Sequence, residues 1–168
     1  MKKKLNQLRM TNHERWMQHA LREAEKAFDK NEVPVGAVIV HNKTIIAKGF
    51  NQVEMMNDPT AHAEIIALTA ASAHLNTKWL KDCVLYVTME PCPMCAGALV
   101  LSRIPTIVFG CFDPKMGACG SVYNIAEDAR LNHRIHTISG VLDTECSTIV
   151  KDFFIRKRTN NHNVMASP

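Results

Sequence analysis

The stretch that decides the fold is residues 83–110, with the sequence CVLYVTMEPCPMCAGALVLSRIPTIVFG. Its two ends, residues 83–88 and 104–110, are short apolar runs rich in β-branched and aromatic residues, which predicts two buried strands. Residues 95–102 lie between them and predict a short helix. A strand, a helix and a strand in this order indicate a parallel crossover unit of an α/β protein.

The flanking sequence extends this unit in both directions. The predicted strands cover residues 33–40, 44–51, 83–88, 104–110 and 136–141. The predicted helices cover residues 12–30, 61–74, 95–102 and 143–158, the first opened by a capping box of Thr11 and Glu14. Because residues 41–43 predict a tight turn, the first two strands form an antiparallel hairpin. The expected fold is α/β, a three-layer α/β/α sandwich around one mixed five-stranded sheet.

The composition indicates one globular domain over residues 1–168. The chain is 46% hydrophobic and 21% charged, which excludes an intrinsically disordered protein. Its longest apolar run, Val33 to Val40, is far shorter than the roughly 20 residues of a membrane helix, and residues 5–15 are too polar for a secretory signal. We therefore expect a soluble, cytoplasmic protein with no membrane partner.

Basic charge is concentrated at the two ends of the chain. The net charge is +4, and residues 1–10 carry four basic and no acidic side chains. Residues 151–168 carry four basic side chains and one acidic. We expect a flexible basic N-terminus over residues 1–10 and a basic tail over residues 156–168. This distribution favours a polyanionic partner, nucleic acid before membrane, although the ends could also serve solubility alone.

Two short motifs carry the chemistry, each at the start of a predicted helix. The first is His62-Ala63-Glu64, and the second is Pro91-Cys92-Pro93-Met94-Cys95. Either motif alone is weak, since an isolated C-x-x-C could be a redox pair. In combination, H-x-E followed by P-C-x-x-C is typical of zinc-dependent nucleobase deaminases.

The residue types agree with a catalytic zinc site. One imidazole and two thiolates from His62, Cys92 and Cys95 are three protein ligands, which leaves a fourth position open for water. The positive end of a helix favours the thiolates that zinc requires. Glu64 is expected beside the metal as the general acid and base. It would take the proton of the water and deliver it to the ring nitrogen and then to the departing amine.

Other cysteines and aromatic residues have less specific interpretations. Six cysteines without a signal peptide argue against a disulfide framework. Cys111 and Cys119 flank the loop segment at residues 113–118 and could approach the metal, but burial is the favoured explanation. Phe153 and Phe154 could stack on bases, and we expect at least one of them to pack the closing helix onto the sheet.

From about Arg15 to Arg158, the chain resembles the bacterial tRNA-specific adenosine deaminases, which have a cytidine-deaminase-like fold. Besides the zinc motifs, the segments that carry the resemblance are VPVGA at 33–37, DPTAHAE at 58–64, VFG at 108–110, DPKMG at 113–117, GS at 120–121, NH at 132–133 and DFF at 152–154. The sequence departs from the family at Ile155, where arginine often follows the Phe-Phe pair.

The resemblance implies a substrate, a cofactor, a partner and further site residues. The substrate would be the wobble adenosine of a tRNA anticodon stem-loop, which is converted to inosine by a homodimer with one Zn²⁺ per subunit. Asn51 and the backbone around Ala63 would hold the flipped purine. The residues implied near the RNA strand are Asp113, His133, Phe154 and Arg156.

Two other functions remain open from the sequence. A small-molecule deaminase acting on guanine or cytosine shares the zinc motifs, although the basic ends and the 113–121 segment favour RNA. A non-catalytic subunit that keeps zinc and pairs with another deaminase is the third possibility. Glu64 argues against this third possibility, because a subunit without activity can lose that residue and still hold its metal.

Overall fold

The computed structural model describes residues 10–165, with side chains described to residue 160. The strands are β1 (Gly36–His41), β2 (Thr44–Phe50), β3 (Cys83–Met89), β4 (Thr106–Cys111) and β5 (His136–Ile138). The helices are α1 (Asn12–Asp29), α2 (Val53–Met56), α3 (Ala63–Leu75), α4 (Pro93–Leu101) and α5 (Asp143–Met165). All predicted elements are present, and α2 is an addition. The expected flexible N-terminus, residues 1–10, lies outside the described residues except for Met10.

The five strands form one mixed sheet in the order β2-β1-β3-β4-β5. β1 is antiparallel to both of its neighbours, while β3, β4 and β5 are mutually parallel. β2 therefore runs in the same direction as β3, β4 and β5. The predicted strand at 33–40 begins only at Gly36. Pro34 has no N–H to donate to a neighbouring strand, and the N–H of Val35 donates to the carbonyl of Val33 instead, at 2.8 Å.

Helices cover both faces of the sheet, which confirms the three-layer architecture. On one face, Ala37, Ile39 and Leu85 pack in a core with α3 and α4. On the other face, Val38 and Tyr86 pack with α1 and α5. Because successive side chains of a strand point to opposite faces, a continuous apolar strand supplies both cores.

Gly49 allows α3 to lie directly on β2. A Cβ atom at this position would lie 2.3 Å from the carbonyl oxygen of Ala63 and 2.8 Å from the amide nitrogen of Ala67. Both distances are well inside van der Waals contact, so the approach requires a residue without a side chain. The contact fixes the first turn of α3 close to the end of β2.

The last helix is longer than the sequence predicts. We expected it to end at Arg158, whereas α5 continues to Met165. Between residues 143 and 165 the chain contains neither glycine nor proline, so no residue there terminates the helix. Arg156, Lys157 and Arg158 are consequently helical. Within residues 10–165, none of the helices combines the length and the apolar character that crossing a bilayer requires.

Candidate active site

Two helices begin at the same place and bring the two sequence motifs together. His62 is the N-cap residue of α3 and Cys92 is the N-cap residue of α4, both with extended backbone. Neither side chain caps its own helix. Both side chains are therefore available to each other, and the first turn of α4 adds Cys95, which is fully buried.

The three predicted ligands have the spacing of a zinc site. His62 Nδ1 lies 3.6 Å from Cys92 Sγ and 3.6 Å from Cys95 Sγ. Tetrahedral zinc with bonds of about 2.05 Å to nitrogen and about 2.3 Å to sulfur separates such atoms by about 3.6 Å. The three ligand atoms all lie within 4.8 Å of one another. This donor set fits Zn²⁺ with one coordination position left over.

The electrostatics of the cluster favour a cation. Contact with the Cys95 thiol, assisted by His62, lowers the pKa of Cys92 to about 4. The same contact and burial raise the pKa of the Cys95 thiol. A cation between the sulfur atoms would stabilise both as thiolates. Within the described part of the chain, Cys111 and Cys119 do not belong to this cluster, and burial raises the pKa of both thiols.

Glu64 lies in the first turn of α3, beside the cluster, and is only 4% exposed. Burial raises the pKa of its carboxyl to about 7, from an ordinary value of 4.5. A carboxyl with a pKa near neutrality can both accept and return a proton at neutral pH. Its position and its pKa are those of a general acid and base.

Asn51 supplies the cap that His62 does not. Its buried side-chain Oδ1 accepts a hydrogen bond from the N–H of Ala63, the first residue of α3, at 2.9 Å. The Ala63 N–H is therefore engaged by Asn51 in this structure. Asn51 and Ala63, which the resemblance implies as holders of the base, are thus bonded to each other beside the predicted ligand His62.

A cavity of about 360 Å³ opens over the cluster. Its volume is in the range of small-molecule sites, about 300–1,000 Å³. Of the predicted residues, Asn51, His62, Glu64, Cys92 and Asp113 line it. Sequence reasoning did not predict several other lining residues, among them Glu32, Val53, Glu90, Met116 and Lys157.

The remaining predicted residues lie around the cavity at different distances from the chemistry. Phe154 is 46% exposed and lines a neighbouring pocket of about 380 Å³ together with Asp113, whereas Phe153 is buried. His133 does not line the cavity, and its Nε2 lies 2.7 Å from the carbonyl oxygen of Ile104.

Arg156 is engaged within the protein. Its guanidinium donates to the carbonyl oxygen of Phe28 at 2.6 Å and lies 3.9 Å from the centre of the Phe28 ring. The neighbouring Lys157 lines the cavity instead. The two neighbouring cations therefore have different surroundings. Arg156 connects α5 to α1, and Lys157 lines the cavity.

Two buried glutamates near the cavity were not predicted as functional residues. Glu32 is 1% exposed and Glu90 is 3% exposed, and both accept backbone hydrogen bonds from distant segments. Glu90 directly precedes the Pro91-Cys92 motif, and this adjacency was the one signal in the sequence that could have drawn attention to it.

Comparison with known proteins finds deaminases. The model of the MafB19-like deaminase family matches residues 11–158. The tRNA-specific adenosine deaminase of Bacillus subtilis (strain 168) is 47% identical over 151 residues, which are 89% of this chain and 94% of that protein.

Two solved structures of deaminases are similar to this chain to different extents. A structure from a study of A-to-I editing by tRNA:A34 deaminases at the wobble position is 38% identical with a TM-score of 0.78, and the match covers 80% of this chain and 98% of that one. A guanine deaminase from Bacillus subtilis is 40% identical with a TM-score of 0.58, and the match covers 61% of this chain and 66% of that one.

Proposed function

The chain belongs to the family of tRNA-specific adenosine deaminases, and we propose that it converts the wobble adenosine of a tRNA anticodon loop to inosine at the His62, Cys92 and Cys95 cluster. The reaction consumes one water molecule and releases ammonia. The observation that carries this proposal is the buried Glu64 beside a group of three zinc-type ligands, in which His62 Nδ1 lies 3.6 Å from each cysteine sulfur. Because the substrate is tRNA, we place the reaction in the cytoplasm.

Different residues of the cavity bind the metal, transfer protons and orient the base. A Zn²⁺ ion held by the three ligands would supply Lewis acidity to a water molecule. Glu64 takes one proton from the attacking water and gives it to N1 of the purine. It then takes the second proton of that water, now on the hydroxyl at C6, and gives it to the amine, which leaves as ammonia. Asn51 faces the cavity next to α3 and orients the base. Both motifs sit at helix N-termini, so the polar ends of α3 and α4 face the reacting atoms.

RNA outside the cavity contacts the exposed rim in this proposal. Phe154 offers an exposed aromatic face for stacking, and Lys157 offers a cation at the cavity mouth. Asp113 lies between the two pockets and lines both. Contacts of this kind offset the few kcal/mol that extracting a base from a stacked loop costs.

The test is ammonia release from equal concentrations of four substrates. These are an anticodon stem-loop with adenosine at the wobble position, free adenosine, free guanine and free cytosine. We expect efficient turnover of the stem-loop and little of the others, because the free compounds lack the remote contacts that orient the base. A stem-loop with guanosine at the wobble position is the matched control. Turnover of free guanine without turnover of the stem-loop would instead support the small-molecule function.

A homodimer is part of the proposal, supported by the composition of α4. This helix has the sequence PMCAGALVL and contains no charged or amide side chain. Cys95 and Leu99 are fully buried, whereas Met94, Ala98 and Leu101 share the opposite face. Leu101 is 75% exposed. A helix that is apolar on every side is normally covered on every side, and a second copy of the chain is the occupant we propose.

Sedimentation equilibrium of the zinc-loaded protein tests the dimer. We expect a mass of about twice 18.8 kDa for the unmodified chain. Leu101→Asp should give a monomer because it places a charge on the apolar face that we propose is covered by the second copy. Leu131→Asp, which changes another exposed leucine on a loop, is the control and should remain a dimer. A monomeric unmodified chain, or a dimeric Leu101→Asp variant, contradicts this assignment.

A further inference from the structure

Glu90 holds the loop that forms one wall of the cavity. Its Oε1 accepts from the N–H groups of Cys119 and Ser121 at 2.9 and 3.0 Å. Its Oε2 accepts from the N–H of Asp113 at 3.1 Å and from the hydroxyl of Ser121. All four partners are donors, so only an acceptor without hydrogens, a carboxylate, satisfies the arrangement. One side chain thereby fixes both ends of residues 113–121.

The loop is built closely around this carboxylate. A Cβ atom on Gly117 would lie 2.2 Å from Glu90 Oε2 and 2.6 Å from the carbonyl oxygen of Asp113. The N–H of Gly117 also donates to that Asp113 carbonyl, at 2.9 Å. Residue 117 has no room for a side chain because the loop wraps the glutamate. This conformation of the loop places Asp113 and Met116 on the wall of the cavity.

Glu32 holds a second wall in the same way. Its Oε1 accepts from the N–H of Met55 at 2.7 Å, and its Oε2 accepts from the N–H of Glu54 at 3.2 Å. These N–H groups belong to the short helix α2, which is too short to be stable alone. Both Val53 of α2 and Asn51 just before it line the cavity. Neither glutamate has a place in the proton transfers assigned to Glu64.

We propose that Glu32 and Glu90 are positioning residues, which set the shape of the substrate cavity by holding residues 51–56 and 113–121 against it. This inference rests on the proposed function, since it concerns the substrate of that cavity. None of the donors to Glu32 and Glu90 lies on α3 or α4, which carry Glu64 and the three proposed ligands. Loosening either wall therefore weakens substrate binding and leaves the chemical step largely intact.

Glu90→Gln is the sharpest variant. The amide oxygen can still accept from the N–H groups of Cys119 and Ser121, and the amide NH₂ can donate to the Ser121 hydroxyl. The N–H of Asp113 then faces another donor and loses its acceptor. Leaving this half-buried donor without an acceptor corresponds to about a tenfold change in an equilibrium constant, so KM for the stem-loop should rise by about that factor. The change in kcat should stay within about threefold.

Glu127→Gln is the matched control. Glu127 also accepts two hydrogen bonds, from the backbone and the hydroxyl of Thr137, and it lies outside the cavity. Its variant should keep the KM of the unmodified protein. Glu32→Gln should behave like Glu90→Gln, because one amide oxygen cannot replace two carboxylate oxygens at two N–H groups.

The experiment measures KM, kcat, zinc content and hydrogen exchange of the peptide covering residues 113–121 in the zinc-loaded proteins. Glu90→Gln should retain one zinc per chain, exchange faster in that peptide and show the rise in KM. An unchanged KM, an unchanged exchange rate, or an equal rise in KM for Glu127→Gln overturns the proposal. So does a fall in kcat together with loss of zinc.

Ser121→Ala keeps the proposal testable if Glu90→Gln does not fold. The serine is exposed, and its variant removes one of the four donors to Glu90. KM should rise about threefold, since one hydrogen bond to a charged group is lost while its acceptor keeps three others. No rise overturns the proposal. If the unmodified protein does not deaminate the stem-loop, the proposed function is refuted. That outcome is distinct from failure of the positioning proposal, which is judged by comparing the variants with an active unmodified protein.

Discussion

Glu64→Gln separates proton transfer from metal binding. The amide keeps the shape of the buried side chain but cannot take a proton from water at neutral pH. A positioned general acid and base contributes about 10²–10⁴-fold, and Glu64 serves in successive transfers, so we expect kcat to fall by about 10³-fold or more. Zinc should remain at one per chain because all three ligand atoms lie on other residues. Thermal stability should not fall, since burying a neutral amide costs less than burying a carboxylate.

The assay pairs inosine formation in the stem-loop with zinc content measured by mass spectrometry on the same samples. Glu25→Gln, an exposed position on α1, serves as the control and should match the unmodified protein in both readouts. Two outcomes would refute the reasoning. One is Glu64→Gln protein that is isolated without zinc, and the other is a loss of activity smaller than tenfold.

Further outcomes follow from individual contacts. Cys92→Ser should lose zinc and lower the melting temperature, and a chelator should lower the melting temperature of the unmodified protein until zinc is restored, as calorimetry can show. Asn51→Ala should destabilise the fold by about 1 kcal/mol through the lost cap of α3, measured by urea unfolding. Gly49→Ala should cost about 2 kcal/mol or more in the same assay, because its Cβ would overlap the backbone of α3. Arg156→Ala should lower stability with little change in RNA binding. Lys157→Ala should reduce the slope of log K for RNA binding against log salt concentration by about 0.7 if Lys157 contacts one phosphate.

The sequence predicted the elements and the chemistry well because both rest on local patterns. Apolar runs of strand length and a capping box of Thr11 and Glu14 need no knowledge of distant residues, and His62 to Glu64 and Cys92 to Cys95 are each within one helical turn. The short helix α2 escaped prediction because Glu32, more than 20 residues earlier in the chain, holds it. The cavity-lining position of Lys157 likewise depends on how α5 packs against the sheet.

The role of Arg156 also depends on a contact that the local sequence does not reveal. Its type and its place in a basic run favour a phosphate contact, and the resemblance implies a position near RNA. The structure instead joins it to the carbonyl and the ring of Phe28, 128 positions earlier in the chain. A pattern of charges indicates that the tail is basic, while the packing of α5 on α1 decides which of its cations lines the cavity.

With His62 and Cys92 at their N-caps, α3 and α4 lack the usual side-chain caps. Neighbouring residues offset this loss of capping free energy. An N-cap residue is usually Ser, Thr, Asp or Asn, and losing such a cap costs about 1 kcal/mol. α3 and α4 instead begin with His62 and Cys92, whose side chains belong to the proposed metal site and cap neither helix. At α3, the carboxamide of Asn51 accepts the first free N–H from outside the helix. At α4, Pro93 occupies the first helical position, where it has no N–H to satisfy and its fixed φ suits the helix. Asn51 and Pro93 therefore let two helices begin at the proposed metal ligands, and a change at either position should disturb zinc binding without touching a ligand.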